Sequence, residues 1–151
     1  MIADLNFLIV DDDKTTIDSV TLMLTRLGVT KISVARSGFE AFRLMSKSRE
    51  RFDYVISDVC MGDGNGLELL YHIRTTTVAR NYRPDMCVVL MSGMASADIA
   101  FVAGSLDVNA FLVKPFGIAK LQQVILEARH RTFPLDRANY YKLSADKLKV
   151  A

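Results

Sequence analysis

Residues 7–13 read Phe-Leu-Ile-Val-Asp-Asp-Asp. Four apolar side chains follow one another with no polar residue between them, and three carboxylates come directly after. A strand with one face in water alternates apolar and polar residues. An unalternating run therefore suits a strand covered on both faces, as in a parallel sheet with helices above and below. The acidic triplet marks where that strand leaves the sheet. Asp13, just before the first helical turn, suits a helix N-cap.

The same pattern recurs along the chain. Strand candidates fall at 5–10, 31–35, 53–57, 86–91 and 110–113, each followed by a segment with helical spacing. Ile17, Val20, Leu24 and Leu27 share one face of the first helix, and Gly28 stops it. Phe39, Phe42, Leu44 and Met45 stripe the second, and Leu67, Leu70, Ile73 and Arg74 the third. Residues 95–103 give a small Ala-rich fourth, and 118–129 a fifth with Leu121, Val124, Ile125 and Ala128 apolar. Alternating strands and helices with right-handed crossovers predict an α/β fold of (βα)5 type: a doubly wound three-layer sandwich around a parallel five-stranded sheet.

Of the 151 residues, 50% are hydrophobic and 24% charged. That fits one domain able to bury about two-thirds of its unfolded surface without disulfide or metal staples. Cys60 and Cys87, the two cysteines, lack zinc-like spacing, and their scarcity suits a reducing compartment. No apolar run approaches the ~20 residues of a membrane helix. The N-terminus has no basic segment ahead of an apolar one, so a cytoplasmic location is expected. Charge is uneven: residues 129–151 carry six basic and two acidic side chains, so the net +2 divides into −2 for the body and +4 for the tail. The expected organisation is a domain at 1–130 and a short basic extension at 131–151. That extension is too small for a helix-turn-helix or an enzymatic domain, which argues against direct DNA binding.

In open α/β sheets, chemistry gathers beyond the C-terminal ends of the strands. Those ends carry Asp11, Asp12 and Asp13 after the first strand, Asp58 after the third, Ser92 and Gly93 after the fourth, and Lys114 and Pro115 after the fifth. Clustered carboxylates repel one another unless a cation joins them. Oxygen ligands without His or Cys select a hard ion, and Mg²⁺ is the expectation. Lys114 supplies a positive point charge and Ser92 a hydroxyl, both suited to phosphoryl oxygens. Together these groups form a phosphoryl-transfer site with a carboxylate as nucleophile.

The motifs Phe7-Leu-Ile-Val-Asp-Asp-Asp13, Ala35-Arg-Ser-Gly-Phe-Glu-Ala41, Asp53-Tyr-Val-Ile-Ser-Asp58, Gly66-Leu-Glu-Leu-Leu70, Val89-Leu-Met-Ser92 and Phe111-Leu-Val-Lys-Pro-Phe116 follow in order. Over residues 6–130 the chain thereby resembles the receiver domain of two-component response regulators, the chemotaxis-protein-like family. The resemblance implies the flavodoxin-like strand order 2-1-3-4-5. It implies that Asp58 accepts a phosphoryl group from a sensor histidine kinase or phosphotransfer protein. Asp11 and Asp12 then form the acidic pair at Mg²⁺, with Asp58 and the backbone carbonyl of Cys60 as further ligands. Ser92 and Lys114 hold the phosphoryl oxygens, Phe111 is the aromatic switch residue, and Gly93 leaves access open beside Ser92. The face of the fourth helix, fifth strand and fifth helix would meet a downstream protein or a second copy. Such a protein is a signalling switch, not an enzyme with an external substrate; it catalyses only its own phosphorylation and dephosphorylation.

The sequence also departs from the family pattern. Many members have Met-Pro-x-Met-Asp-Gly after the phospho-accepting Asp, whereas this chain has Met61-Gly-Asp-Gly-Asn-Gly66. Three glycines leave that loop more freedom to lose. Phe111 lacks the hydroxyl of the more common Tyr, so a switch there acts through packing. Residues 75–85 form a polar connection longer than a minimal one. His72 and His130 read as surface residues, and most methionines as core filler.

Three rival readings remain. Asp11-Asp12-Asp13-Lys14-Thr15 fits the Asp-x-Asp-x-Thr pattern of haloacid-dehalogenase-like phosphatases, with Asp11 as nucleophile. That reading leaves Asp58 unused and needs a second acidic cluster after Lys114, where only Glu127, Asp136 and Asp146 follow, scattered. A receiver fragment of a larger regulator is the second. A receiver that binds partners without phosphorylation is the third, and the full set of side chains argues against it.

Overall fold

Successive residues of the first strand point to opposite sides of the sheet, and both sides are filled. Phe7 and Ile9 join one apolar cluster with Ile17, Val20, Leu24, Leu121 and Ile125, while Leu8 and Val10 join a second with Met45, Leu67, Leu70 and Val102. All four strand residues are fully buried. This is the packing that an unalternating run requires.

The computed structural model describes residues 2–49, 51–62, 64–76, 84–94 and 96–149. Its strands are β1 (Asn6–Val10), β2 (Lys31–Ala35), β3 (Tyr54–Asp58), β4 (Cys87–Ser92) and β5 (Ala110–Val113). All pair in parallel, in the order β2-β1-β3-β4-β5. The expected flavodoxin-like doubly wound fold is therefore the observed one. Its helices are α1 (Lys14–Arg26), α2 (Gly38–Lys47), α3 (Gly66–Thr75), α4 (Ala97–Ser105) and α5 (Ile118–Ala128). Helices α1 and α5 cover one face of the sheet; α2, α3 and α4 cover the other. Among the described residues, no helix is long and apolar enough to cross a membrane.

Local signals fix the element ends. Asp13 caps α1, its carboxylate accepting from the Thr15 amide at 3.1 Å, and Gly28 ends that helix region with φ +92°. Strands β3 and β4 each begin one residue later than their apolar runs suggest. Asp53 is spent on a turn, its carboxylate accepting from the Asn6 amide at 2.8 Å. Helix α4 starts at Ala97, not near 95, because the Ser96 hydroxyl accepts from the Ile99 amide at 3.1 Å. Ala95, and residues 77–83 of the polar connection, lie outside the described residues.

The expected stripe of α2 is wrong in one respect. Phe39 and Phe42 are 62% and 36% exposed; Met45 is buried as expected, and Gly38 and Ala41 face inward in place of the two rings. Small residues bring its first turn so close to the β3–α3 loop that a Cβ on Gly38 would lie 2.7 Å from the Gly64 carbonyl oxygen.

Arg74, counted with an apolar stripe, is fully buried at the end of α3. All its N–H groups find acceptors: the carbonyls of Pro84, Met86, Leu106 and Asp107, and the Asn109 side-chain oxygen, at 2.6–3.1 Å. Burial lowers its pKa, and four backbone carbonyls and the Asn109 amide oxygen carry the cation.

After α5 the chain crosses to the opposite face of the sheet. Two short helices, α6 (Arg137–Tyr141) and α7 (Ala145–Leu148), place Tyr140 and Leu148 in the α2–α3–α4 cluster, with Leu143 packed against it. The tail thus docks back on the helices and does not prolong α5.

Candidate functional site

The four strand ends converge as the sequence suggests. Asp11 lies just past β1 and is fully buried, Asp58 closes β3 at 8% exposure, and Ser92 closes β4 at 2%. Sheet pairing carries past the last strand residues: the Val59 amide donates to the Met91 carbonyl at 2.9 Å, and the Lys114 amide to the Ser92 carbonyl at 2.8 Å. Asp58 and Lys114 are therefore held by backbone, not by free loops. Lys114 precedes Pro115 through a cis peptide bond.

Carboxylate oxygens of Asp11, Asp12 and Asp58 lie within 4.8 Å of one another, the only such acidic, His or Cys group among the described residues. Lys114 Nζ sits between two of them, 2.9 Å from Asp11 Oδ2 and 3.2 Å from Asp58 Oδ1. Asp11 Oδ1 accepts from the Asp13 amide at 2.9 Å, and Asp12 Oδ2 from the Gly62 amide at 3.2 Å. One lysine against three carboxylates leaves a residual negative charge. Its effect shows in Asp58, whose pKa is raised above the ordinary carboxylate value, chiefly by burial and then by the charge of Asp11, with Lys114 opposing both. Lys114 is pulled down by burial, but its bond to Asp11 and the charge of Asp58 win and hold it above its usual value.

The donor set fits a hard divalent cation. All three side-chain ligands are oxygens, the cluster is short of positive charge, and the exposure of Asp12 leaves room for the waters that Mg²⁺ keeps. Cys60 is exposed beside Asp58, and its thiol is pushed up by burial and by the charge of Asp58, away from the thiolate a metal would need. The thiol therefore makes a poor ligand for a hard cation.

Ser92 Oγ is turned toward the next loop, donating to the Met94 carbonyl at 2.5 Å while accepting from the Met94 amide at 3.1 Å. Space beside Gly93 is open, since an added Cβ there would meet nothing within 4 Å. Phe111 is half-buried against the α2–α3–α4 cluster. His72 and His130 are exposed, as expected. Of the acids a phosphatase would need, Asp136 caps α6 and Glu127 accepts from Gln123 at 2.9 Å; neither joins the cluster that holds Asp58.

Sequence reasoning passed over Gly66 as more than a turn residue. A Cβ on it would lie 2.3 Å from the carbonyl oxygen of Asp58 and 3.1 Å from Val59 Cα. Only glycine lets α3 start this close to the acidic residue. Asn65 before it caps α3, accepting from the Glu68 amide at 2.8 Å.

A flavodoxin-like sheet with an acidic cluster and a lysine at its strand ends defines a class of α/β protein whose rim can hold a hard cation. Within that class the chain belongs to the response regulator receiver domain family, whose pattern it matches over residues 7–126. It is 35% identical over 115 residues to a chemotaxis protein CheY homolog of Campylobacter jejuni, covering 74% of this chain and 82% of that protein. It is 32% identical over 129 residues to the transcriptional regulatory protein GlrR of Escherichia coli, covering 85% of this chain but 27% of that one. The chain thus spans about a quarter of the length of such regulators. A solved receiver domain protein from Clostridium thermocellum superposes with a TM-score of 0.71 at 26% identity, covering 82% of this chain and 93% of that one. Receiver domains are phospho-accepting switches of two-component systems.

The charge balance gives a measurable expectation. A carboxyl group whose folded pKa is raised contributes stability that is full below its unfolded pKa and is lost as pH rises through the folded value. In EDTA, the melting temperature of the protein relative to its Asp58→Asn variant should therefore fall from about pH 4 to pH 7. Mg²⁺ at a hundredfold excess over its Kd should raise it at pH 7 by about 5 °C, and by less at pH 4. An equal rise in an Asp12→Asn, Asp58→Asn double variant would place the ion elsewhere.

Proposed function

We propose that this protein is a phosphorylation switch in which Asp58 accepts a phosphoryl group from a phosphohistidine on a sensor kinase or phosphotransfer protein. The observation that carries this reading is Lys114 Nζ lying 3.2 Å from Asp58 Oδ1 and 2.9 Å from Asp11 Oδ2, at an open end of the sheet. An Asp58 carboxylate oxygen forms the new P–O bond as the donor's P–N bond breaks, and the imidazole leaves with its electron pair. Asp11, Asp12, Asp58 and the Cys60 carbonyl would hold Mg²⁺, which supplies charge neutralisation for the transferring phosphoryl oxygens.

Lys114 is already placed to pair with a phosphoryl oxygen on Asp58, exchanging one carboxylate contact for a stronger anionic one. Ser92 Oγ gives up the Met94 carbonyl and donates to another phosphoryl oxygen. That turn vacates space beside β4, which the Phe111 ring fills, and the surface of α4, β5 and α5 changes shape. Phosphorylation then acts as a population shift between two packings, and the altered surface meets a downstream protein or a second copy. Exposed Met94, Phe101 and Val113 supply apolar contact area on those elements and the loop before α4.

Incubation with ³²P-labelled acetyl phosphate tests the proposal. Label should enter only with Mg²⁺ present, and chelation should return it to background. Incorporation that ignores EDTA would refute the reading.

A further inference from the structure

The C-terminal segment is tied to the domain at both ends. At one end Tyr140, only 1% exposed, donates its hydroxyl to Asp107 Oδ2 at 2.5 Å, in the turn between α4 and β5. At the other, Asn65 Nδ2 donates to the Leu148 carbonyl at 2.7 Å; Asn65 is the α3 N-cap and follows the glycine-rich loop beside Asp12 and Asp58. Between these anchors Leu143 packs on the core, and Lys147 Nζ stands 6.0 Å from the centre of the Phe101 ring on α4. The segment therefore runs along the groove between α3 and α4, from the turn after α4 to the loop that borders the acidic cluster.

Both anchors lie on elements that lead from the acidic cluster: Asn65 caps α3 after the loop that borders it, and Asp107 ends the turn after α4. The Ser92 hydroxyl holds Met94 through two hydrogen bonds, and Met94 leads into α4. Once Ser92 turns to a phosphoryl group, those bonds are lost and α4 is released from its start. Its far end reaches the Asp107 turn, where Tyr140 is fastened and where Arg74 also binds the Asp107 carbonyl at 2.6 Å. A shift of α4 must stretch the Tyr140 bond, the Phe101 contact or both.

We propose that residues 137–149 are an intramolecular ligand of the α3–α4 groove, bound tightly in the unphosphorylated arrangement and loosened when Asp58 carries a phosphoryl group. The coupling rests on Asp58 being the acceptor, as proposed above. Linkage makes it reciprocal: what loosens the segment also favours the phosphorylated packing.

Beryllofluoride with Mg²⁺ serves as the phosphoryl mimic on the full chain, read by NMR and amide hydrogen exchange. With the mimic, the Tyr140, Leu143 and Lys149 amides should exchange at least about fivefold faster, the lower end of typical site-to-site coupling. Tyr140→Phe, which keeps the ring and removes the bond to Asp107, should bind beryllofluoride about fivefold more tightly by the same reciprocity. Shifted Ser92 and Met94 resonances with unchanged tail exchange and unchanged affinity would refute the coupling and leave the acceptor reading intact. No response at Ser92 would overturn the acceptor reading, and the coupling with it.

Discussion

Asp58→Asn is expected to abolish phosphoryl uptake, reducing label from acetyl phosphate to background while the fold survives. The amide keeps the size and shape of the carboxylate but has no anionic oxygen to attack phosphorus. It also removes one of three negative charges from a cluster with one lysine, where burial and Asp11 already hold the acid above its usual pKa. The variant should therefore fold at least as stably as the parent in EDTA at pH 7, which separates loss of chemistry from loss of structure. Label that persisted and mapped to Asp11 would favour the phosphatase pattern of residues 11–15. Reduction with tritiated borohydride, which expels the phosphate and turns the phosphorylated aspartate into labelled homoserine, followed by peptide mapping distinguishes the two sites.

The largest stability effect should come from a residue with no part in the chemistry. Arg74→Met fills a similar volume but leaves the carbonyls of Pro84, Met86, Leu106 and Asp107 without the donor they share. The Met86 and Leu106 carbonyls are buried, those of Pro84 and Asp107 partly so, and a buried acceptor left unpaired costs about 1–3 kcal/mol. Local relaxation and relief of the buried charge recover part of that, so a net loss of about 3–5 kcal/mol is expected, a large share of a typical domain's stability. Arg74→Lys keeps the charge and three donors and should fall between the two. Urea denaturation checks this: a midpoint shift with unchanged slope is the expected signature, and a loss below about 1 kcal/mol would mean the carbonyls have found other partners.

Much of the fold was legible because the strands are buried on both faces. Unalternating runs such as 7–10 have one sensible home, and the polar residues that end them mark one rim of the sheet. That rim is why Asp11, Asp12, Asp58, Ser92 and Lys114 emerged together. Where the reading failed, tertiary packing had overruled composition. Phe39 and Phe42 look like core residues, but the inner face of α2 belongs to Gly38, Ala41 and Met45, and at Gly38 it lies too close to the Gly64 carbonyl for any side chain.

Arg74 falls on the apolar stripe of α3, and that placement was the available sign of its burial. Nothing local reveals that backbone carbonyls from two other segments would receive it. The tail gave even less, because Tyr140, Leu143 and Leu148 are apolar enough to pack but do not say against what. Only the packing of Tyr140, Leu143 and Leu148 against the α2–α3–α4 cluster shows where the tail goes.

The close approach of Gly66 to Asp58 bears on how tolerance to change is distributed along this chain. One of the most restricted positions near the Asp58 carboxylate has no functional group at all: a single methyl group at 66 would occupy the space of the Asp58 carbonyl. In a library selected for signalling, depletion at such a position would report occupied volume and not lost chemistry. A map of intolerant sites would therefore trace the packing that supports the acidic cluster along with the cluster itself.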